Sequence, residues 1–520
     1  MQILFKNVTI LDGTGAPGYV GDAGVRDGKL VLTDLPDSAE RIIDGTGKVL
    51  APGFIDAHSH GDKVLGAGEF ADLCKVNQGV TTHVTGQCGN SSAPFAACEA
   101  KDSFSTLDDA EQRSWTTWSV YAEYLRKLPK VINVRPFIGF NAIRKAVMGF
   151  DNRRPTDEEL SKMQDLLRDA MEHGAAGMSS GIPYVPATYC DTEELVAMAQ
   201  VMAPYGGIYT SHIRNESFAL LDAIEEAIEI GRRAGVKVNI SHFKAQGRSN
   251  WGSHLKAIEV IERARAEGID VTCDQYPYNC SMTSYAPCIP PWHFSEGTER
   301  LVERLKDPQF RQQVRQEIED PATNFENLYL NSGGWDGITI CTSPNVPEAE
   351  GMTFAAYAEK VGKDPFEVYF DLIVANEAIG SAVYHTISDD DMFDIIRLPY
   401  VMVGSDGIVT SRDGMCHPRG WGTMVRAICH FVKDNAVLPL ETVIHKMTGL
   451  PAQRYGLQNK GLIREDYDAD LVLFDYVNLK DNATYAAPTR LADGIELVLV
   501  NGVPVYENGR LTGATPGQLL

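Results

Sequence analysis

The chain contains no apolar run of the roughly 20 residues that a membrane-spanning helix needs. Its first residues, Met1-Gln-Ile-Leu-Phe-Lys-Asn-Val-Thr-Ile, alternate like a strand where a signal peptide would carry an unbroken apolar core. Positive charge is scarce: 47 lysines and arginines stand against 70 aspartates and glutamates, a net charge of −23. Such a surface repels phosphate backbones and anionic lipid, so neither nucleic acid nor a membrane is an expected partner. Ten cysteines in 520 residues are too dilute for a disulfide scaffold. Several lie in apparent core segments, as reduced thiols do. The expectation is a cytoplasmic protein with a small-molecule substrate, its oligomeric state left open.

The length allows one large domain and a smaller one. Residues 1–52 read as short hairpin strands with turn signals at Asp12-Gly13 and Arg26-Asp-Gly28. From residue 53 strands alternate with helices, which predicts βα units and a mostly parallel sheet. Helices are expected at 156–173, where Thr156 and Glu159 make a capping box, and at 192–203, 217–234 and 254–267. The acidic face of helix 217–234 is expected to be solvated surface. Residues 285–350, rich in Pro, Gly and Asn, break the rhythm and read as an insertion in a strand-to-helix loop. The rhythm resumes with a helix at 364–375. The tail, 456–520, returns to strands such as Ala469-Asp-Leu-Val-Leu-Phe474, with an Asn508-Gly509 turn. The two ends are therefore expected to form one small β-sandwich domain. The middle, 53–455, holds about eight strands, and the fold class is α/β, a TIM-like (β/α)8 barrel.

In such a barrel chemistry gathers at the C-terminal ends of the strands. The first strand closes on Ala51-Pro-Gly-Phe-Ile-Asp-Ala-His58-Ser-His60. Residues i and i+2 of a strand share a side, so both imidazoles are offered to one divalent metal. Later strand ends carry Cys88, His212, His242 and Asp406. His83 lies in mid-strand and is not a ligand on this logic. Thiolate and imidazole together suit zinc, so Cys88, His212 and His242 are expected to hold Zn²⁺ with one position open for water. Asp406 is placed as the general base that takes the water's proton and passes it to a leaving amine.

These motifs resemble the amidohydrolase superfamily and, within it, the N-acyl-D-amino-acid deacylases, the D-aminoacylases. The resemblance runs through the His58/His60 strand, Gly86-Gln-Cys88-Gly-Asn-Ser, Ser179-Ser-Gly-Ile-Pro-Tyr184, Ser211-His212-Ile-Arg-Asn-Glu216, Ile240-Ser-His242-Phe-Lys244, Ser405-Asp406-Gly and His417-Pro-Arg419. It implies a tight zinc on Cys88, His212 and His242. It also implies a second, weaker metal position on His58 and His60 with Asp406. Lys244 and Arg419 would bind the substrate's free α-carboxylate, a task suited to a point charge and a bidentate fork. Tyr276 or Tyr278 would add a hydroxyl, and Tyr184 would approach the acyl carbonyl. Hydantoinases and dihydroorotases usually carry a carboxylated lysine after strand four; 175–182 contains none, a departure from the lysine-bridged metal pair.

The expected activity is zinc-dependent hydrolysis of N-acyl-D-amino acids to a carboxylate and a D-amino acid. The alternatives are a cyclic-amide hydrolase, or a dipeptidase acting on peptides with a C-terminal D-residue. The remaining one is a non-catalytic scaffold, which would be expected to lack some of these ligands.

Overall fold

A computed structural model of the protein describes residues 1–96, 109–409 and 416–520. Its centre is a ring of parallel strands, numbered here in chain order. They are β1 (Phe54–Asp56), β2 (Val80–Thr85), β3 (Asn133–Pro136, continued by Ile138–Gly139), β4 (Gly177–Gly181), β5 (Ile208–His212), β6 (Lys237–Ile240), β7 (Val271–Gln275) and β8 (Val401–Val403). Pairing is sequential and parallel from β1 to β3 and from β3 to β8. At the break within β3 the Phe137 N–H donates to Thr85 O at 2.9 Å. Between β8 and β1 the Ala57 N–H donates to Val403 O at 3.3 Å, and Asp406 N–H to His58 O at 2.7 Å. The chain is thus a (β/α)8 barrel. Every residue of β2, β4, β5 and β7 is buried, as strands covered on both faces must be. Register pairs Gly181 with His212 and Gln275 with Val403, so the strand ends share one rim.

The helices cover the ring by one apolar stripe each. Asp157–Glu172 opens with the expected capping box and buries Met163, Leu167 and Met171. Leu220–Ala234 turns Ile224, Ile228 and Ile230 inward. Its acids are not all solvated surface: Glu226 turns to Arg214 at 2.8 Å.

Head and tail meet in one nine-stranded sheet, joined where Val49–Pro52 pairs antiparallel with Leu471–Phe474. Alternation along these strands serves two cores. Leu50, Leu471, Leu473 and Leu499 face Phe5 and Val25. Ala51, Val472, Phe474 and Val500 join the barrel's own core.

After β7 the chain leaves the barrel. Ser281–Ser284, Ile338–Thr342 and Ser381–Tyr384 form a separate antiparallel sheet, packed on its own apolar cluster around Trp335, Phe354 and Tyr369. The excursion is longer than the 285–350 stretch that composition marks. The helix Pro365–Ala375, expected as part of the barrel, sends Phe366, Tyr369 and Phe370 into that cluster instead. A 3.6-residue period reports an apolar stripe and not which core receives it. The barrel resumes with helix Asp389–Arg397, which leads into β8. Among the described residues no helix is long and apolar enough to cross a membrane.

Candidate active site

The rim begins with a buried ion pair. Asp56, the last residue of β1, meets Lys75 Nζ at 2.7 Å and accepts hydrogen bonds from the Ser405 N–H at 2.7 Å and the Ser405 hydroxyl at 2.6 Å. Burial alone would raise the Asp56 carboxyl; Lys75 and Ser405 outweigh it and hold the group low. This contact ties β1 to β8 and sets the two chain segments that carry His58 and Asp406.

His58 is fully buried, with Nδ1 3.0 Å from Asp274 Oδ1. Its Nε2 is left facing Cys88 Sγ at 3.3 Å and Asp406 Oδ1 at 3.4 Å. Cys88 Sγ also stands 3.4 Å from His242 Nε2. Burial would raise this thiol, but the His58 and His242 imidazoles reverse that and bring it well below its usual range. The loop that presents it needs its glycines. Gly86 and Gly89 hold positive φ, and a Cβ on either would lie 1.9 Å from Phe137 O or Asn141 Oδ1.

His242 Nδ1 lies 3.0 Å from Glu216 Oε1, and the His242 N–H donates to Asp274 Oδ1 at 2.8 Å. His212 Nε2 is 3.7 Å from Glu216 Oε2, and its ring meets His242 edge-on. Burial lowers the His212 imidazole, keeping a neutral nitrogen available. Asp406 Oδ1 lies 3.0 Å from His60 Nε2, while Oδ2 accepts from Arg419 Nη1 at 2.7 Å. Burial opposes its charge, yet Arg419 and the imidazoles hold the carboxyl well below the usual range. Cys88, His242 and Asp406 all adopt left-handed backbone, with φ of 51°, 34° and 48°. Side-chained residues rarely do so, and the strain falls on three prospective donors.

The structure therefore brings all six predicted donors to one rim, with Cys88 in hydrogen-bond contact with His212 and His242 and with His58 as well. His58, Cys88, His242 and Asp406 place one donor atom each within 4.8 Å of one another; His212, Glu216 and His242 do the same. The reason is that β1 pairs directly with β2 while closure sets β8 beside β1, so His58 stands between Cys88 and Asp406. A tetrahedral zinc with ordinary Zn–S and Zn–N bonds would hold its sulfur and nitrogen about 3.5 Å apart. The 3.3 and 3.4 Å separations at Cys88 match that spacing, so the donor set fits a metal. His83 stands apart from it, buried, with both ring nitrogens unpartnered and its pKa lowered to about 3 by burial and Lys75.

Lys244 Nζ meets Glu216 Oε1 at 2.6 Å. Arg419 Nη2 donates to Met282 O at 3.0 Å, and its Nε is buried without a partner among the described residues. The Tyr276 hydroxyl is likewise unpartnered, and the ring lies 5.7 Å from the Lys244 ammonium and 5.2 Å from the Arg419 guanidinium. Tyr276 lines the site cavity, and so does Tyr184, whose ring lies edge-on to His212. Tyr278 packs on His417 and Arg426 and is not part of the lining. His417 accepts the Arg419 N–H at 3.1 Å and so fixes the start of the helix that bears it. Glu216 and Asp274, which orient the histidines, went unassigned in the sequence reading. A carboxylate inside β7 and an acid four residues after His212 were the available signals.

His60, Cys88, His212, His242, Lys244, Tyr276, Asp406 and Arg419 face a cavity of about 1010 Å³, whose outer wall comes from the excursion after β7. Comparison with known proteins agrees with the geometry. The pattern described as "Amidohydrolase family" matches residues 41–506. The chain is 35% identical to a D-aminoacylase of Alcaligenes xylosoxydans xylosoxydans, over 100% of this chain and 97% of the relative. It is 34% identical to an N-acyl-D-aspartate deacylase of the same organism, over 100% and 95%. The crystal structure of N-acyl-D-glutamate deacylase from Bordetella bronchiseptica, with zinc and a phosphonate mimic of the tetrahedral intermediate, superposes with a TM-score of 0.83. That protein is 32% identical, over 100% of this chain and 99% of its own.

Proposed function

The chain belongs to the amidohydrolase family, and from that premise we propose that it hydrolyses the amide bond of N-acyl-D-amino acids, releasing a carboxylate and a free D-amino acid. The observation that carries this is a juxtaposition. A thiolate–imidazole donor set and a cluster of unspent carboxylate-binding donors share one cavity, joined through the Arg419–Asp406 contact. An N-acyl amino acid has the same layout, a scissile amide one carbon from a carboxylate.

We assign a tight zinc to Cys88, His212 and His242, and a second, weaker position to His58, His60 and Asp406. When bound, zinc supplies Lewis acidity and a water whose pKa falls toward 7. Asp406 is anionic and accepts a proton, which it then delivers to the amide nitrogen as the C–N bond breaks. Glu216 and Asp274 hold the rings of His242 and His58 in one orientation. Lys244, Arg419 and the Tyr276 hydroxyl take the α-carboxylate, and Tyr184 lies toward the acyl carbonyl. Tyr278 is assigned to packing. We place the protein in the reducing cytoplasm, a reading supported by nine free thiols among the described residues and tested by thiol titration of freshly isolated protein.

The test is paired on one sample: metal by elemental analysis, and amine release from N-acetyl and N-formyl derivatives of D- and L-amino acids. About one zinc per chain with D-selective release is expected. Zinc with no release from any of them would overturn the assignment and point to cyclic amides or dipeptides.

A further inference from the structure

We infer that the substrate's D side chain is neutral and apolar, of the kind carried by methionine, leucine or phenylalanine, and that D-aspartate and D-glutamate derivatives are rejected. This rests on the deacylase reading above and deepens it. Relatives acting on different side chains are almost equally similar to this chain, at 35%, 34% and 32% identity, so resemblance does not choose among them. The wall of the cavity does.

A side-chain carboxylate that leaves water needs a cation not already committed elsewhere. Among the described residues each cation of the lining has a partner. Lys244 meets Glu216 at 2.6 Å, Arg419 meets Asp406 at 2.7 Å, Arg214 meets Glu226 at 2.8 Å and Lys306 meets Glu303 at 2.6 Å. Lys63 and Lys145 are engaged as well. Among the described residues, the buried donors still unspent in the lining are Arg419 Nε and the Tyr276 hydroxyl. They suffice for one carboxylate, which the α-carboxylate takes.

The rest of the outer wall offers an anion only neutral donors, Ser281, Thr283, Ser284, Thr298 and Asn324, and no further cation among the described residues. The excursion lines it with Met282, Ala286, Ile289, Phe294, Val302 and Leu328. Its charged contribution is largely of the wrong sign, with Glu299, Glu326 and Glu377 on the same surface. Glu326 is already crowded: burial and the Glu216 carboxylate push it up to about 7. An apolar side chain gains from this wall by burial, whereas a second carboxylate meets acids and hydrocarbon.

The experiment compares kcat/KM for N-acetyl-D-methionine, -leucine, -phenylalanine, -aspartate and -glutamate on the zinc-loaded full chain. The best neutral substrate is expected to exceed both acidic ones by at least tenfold. A smaller ratio, or acidic preference, overturns the inference while leaving the deacylase reading intact. If no N-acyl-D-amino acid is cleaved, that reading falls and takes this one with it. Thr283→Lys, or Val302→Lys should the first not fold, places a cation at a half-buried position of the wall. Either is expected to move the ratio at least tenfold toward the acids. If both fold and the ratio stays put, this wall does not meet the side chain.

Discussion

The two walls of the cavity are built in opposite ways. The inner wall sits on strand ends and is dense with charge, each group held by another: His242 by Glu216 and Asp406 by Arg419, with the Asp56–Lys75 and His58–Asp274 pairs buried behind them. The outer wall comes from the excursion after β7, carries its own apolar cluster, and presents mostly hydrocarbon. On the proposed assignment the first wall meets what every substrate shares, the amide and the α-carboxylate, and the second meets what differs. Placing the common chemistry on the barrel and the discrimination on a separate insertion lets one change while the other stays fixed.

The sharpest way to test that division is to strike the inner wall. Asp406→Ala is expected to lower kcat by about a thousandfold or more, within the range of general acid–base loss, while zinc bound per chain stays unchanged. Turnover that survives, or loss of the tight zinc, would remove Asp406 from its proposed role. Next in size are Lys244→Ala and Arg419→Lys. A charged hydrogen bond is worth about 1.5–3 kcal/mol, so KM is expected to rise roughly 10- to 150-fold. The rise should be equal for every side chain tested, because these residues are assigned to the carboxylate common to all. A loss that varies with side chain would mean the walls are not separate.

How far each wall was legible in the sequence follows from the same contrast. His58, His60, Cys88, His212, His242 and Asp406 were readable because strand period and the strand-end rule place them without any knowledge of distances. Which of them lie together was not readable. The grouping of His58 with Asp406 depends on how β8 closes on β1, and that is set by contacts such as Ser405 on Asp56, 349 residues apart in the chain. Left-handed backbone at Cys88, His242 and Asp406 was equally hidden, since no glycine announces it. The outer wall left only a compositional trace. Proline and glycine marked where the barrel rhythm stopped, but Pro365–Ala375 has the stripe of any packed helix and was read as barrel.

A smaller effect is expected where the walls meet. Glu326, from the excursion, accepts the Glu216 N–H at 2.6 Å and Asn331 Nδ2 at 2.7 Å. Glu216 in turn holds Lys244 and His242. Glu326→Ala is expected to raise KM roughly fivefold, the worth of about 1 kcal/mol, and to act through Lys244. In a Lys244→Ala background the same change should therefore cost much less. Full additivity in that cycle would make Glu326 a structural residue of the insertion alone.

The smallest expected effect lies outside both walls and calibrates the rest. Thr156 caps helix Asp157–Glu172: its hydroxyl accepts the Glu159 N–H at 3.3 Å, and Glu159 accepts the Thr156 N–H at 2.8 Å. Losing such a cap costs about 1 kcal/mol. Unfolding entropy scales with length, so in a chain of 520 residues this is a fall in thermal midpoint of only about 1 °C. Thr156→Ala should show that shift in a melting scan with kcat and KM unchanged, because the helix packs on the barrel's outside through Met163 and Leu167. If instead KM moved for some side chains and not others, the barrel's outer helices would be transmitting strain to the cavity. The separation of the two walls would then be a property of the whole scaffold and not of the insertion.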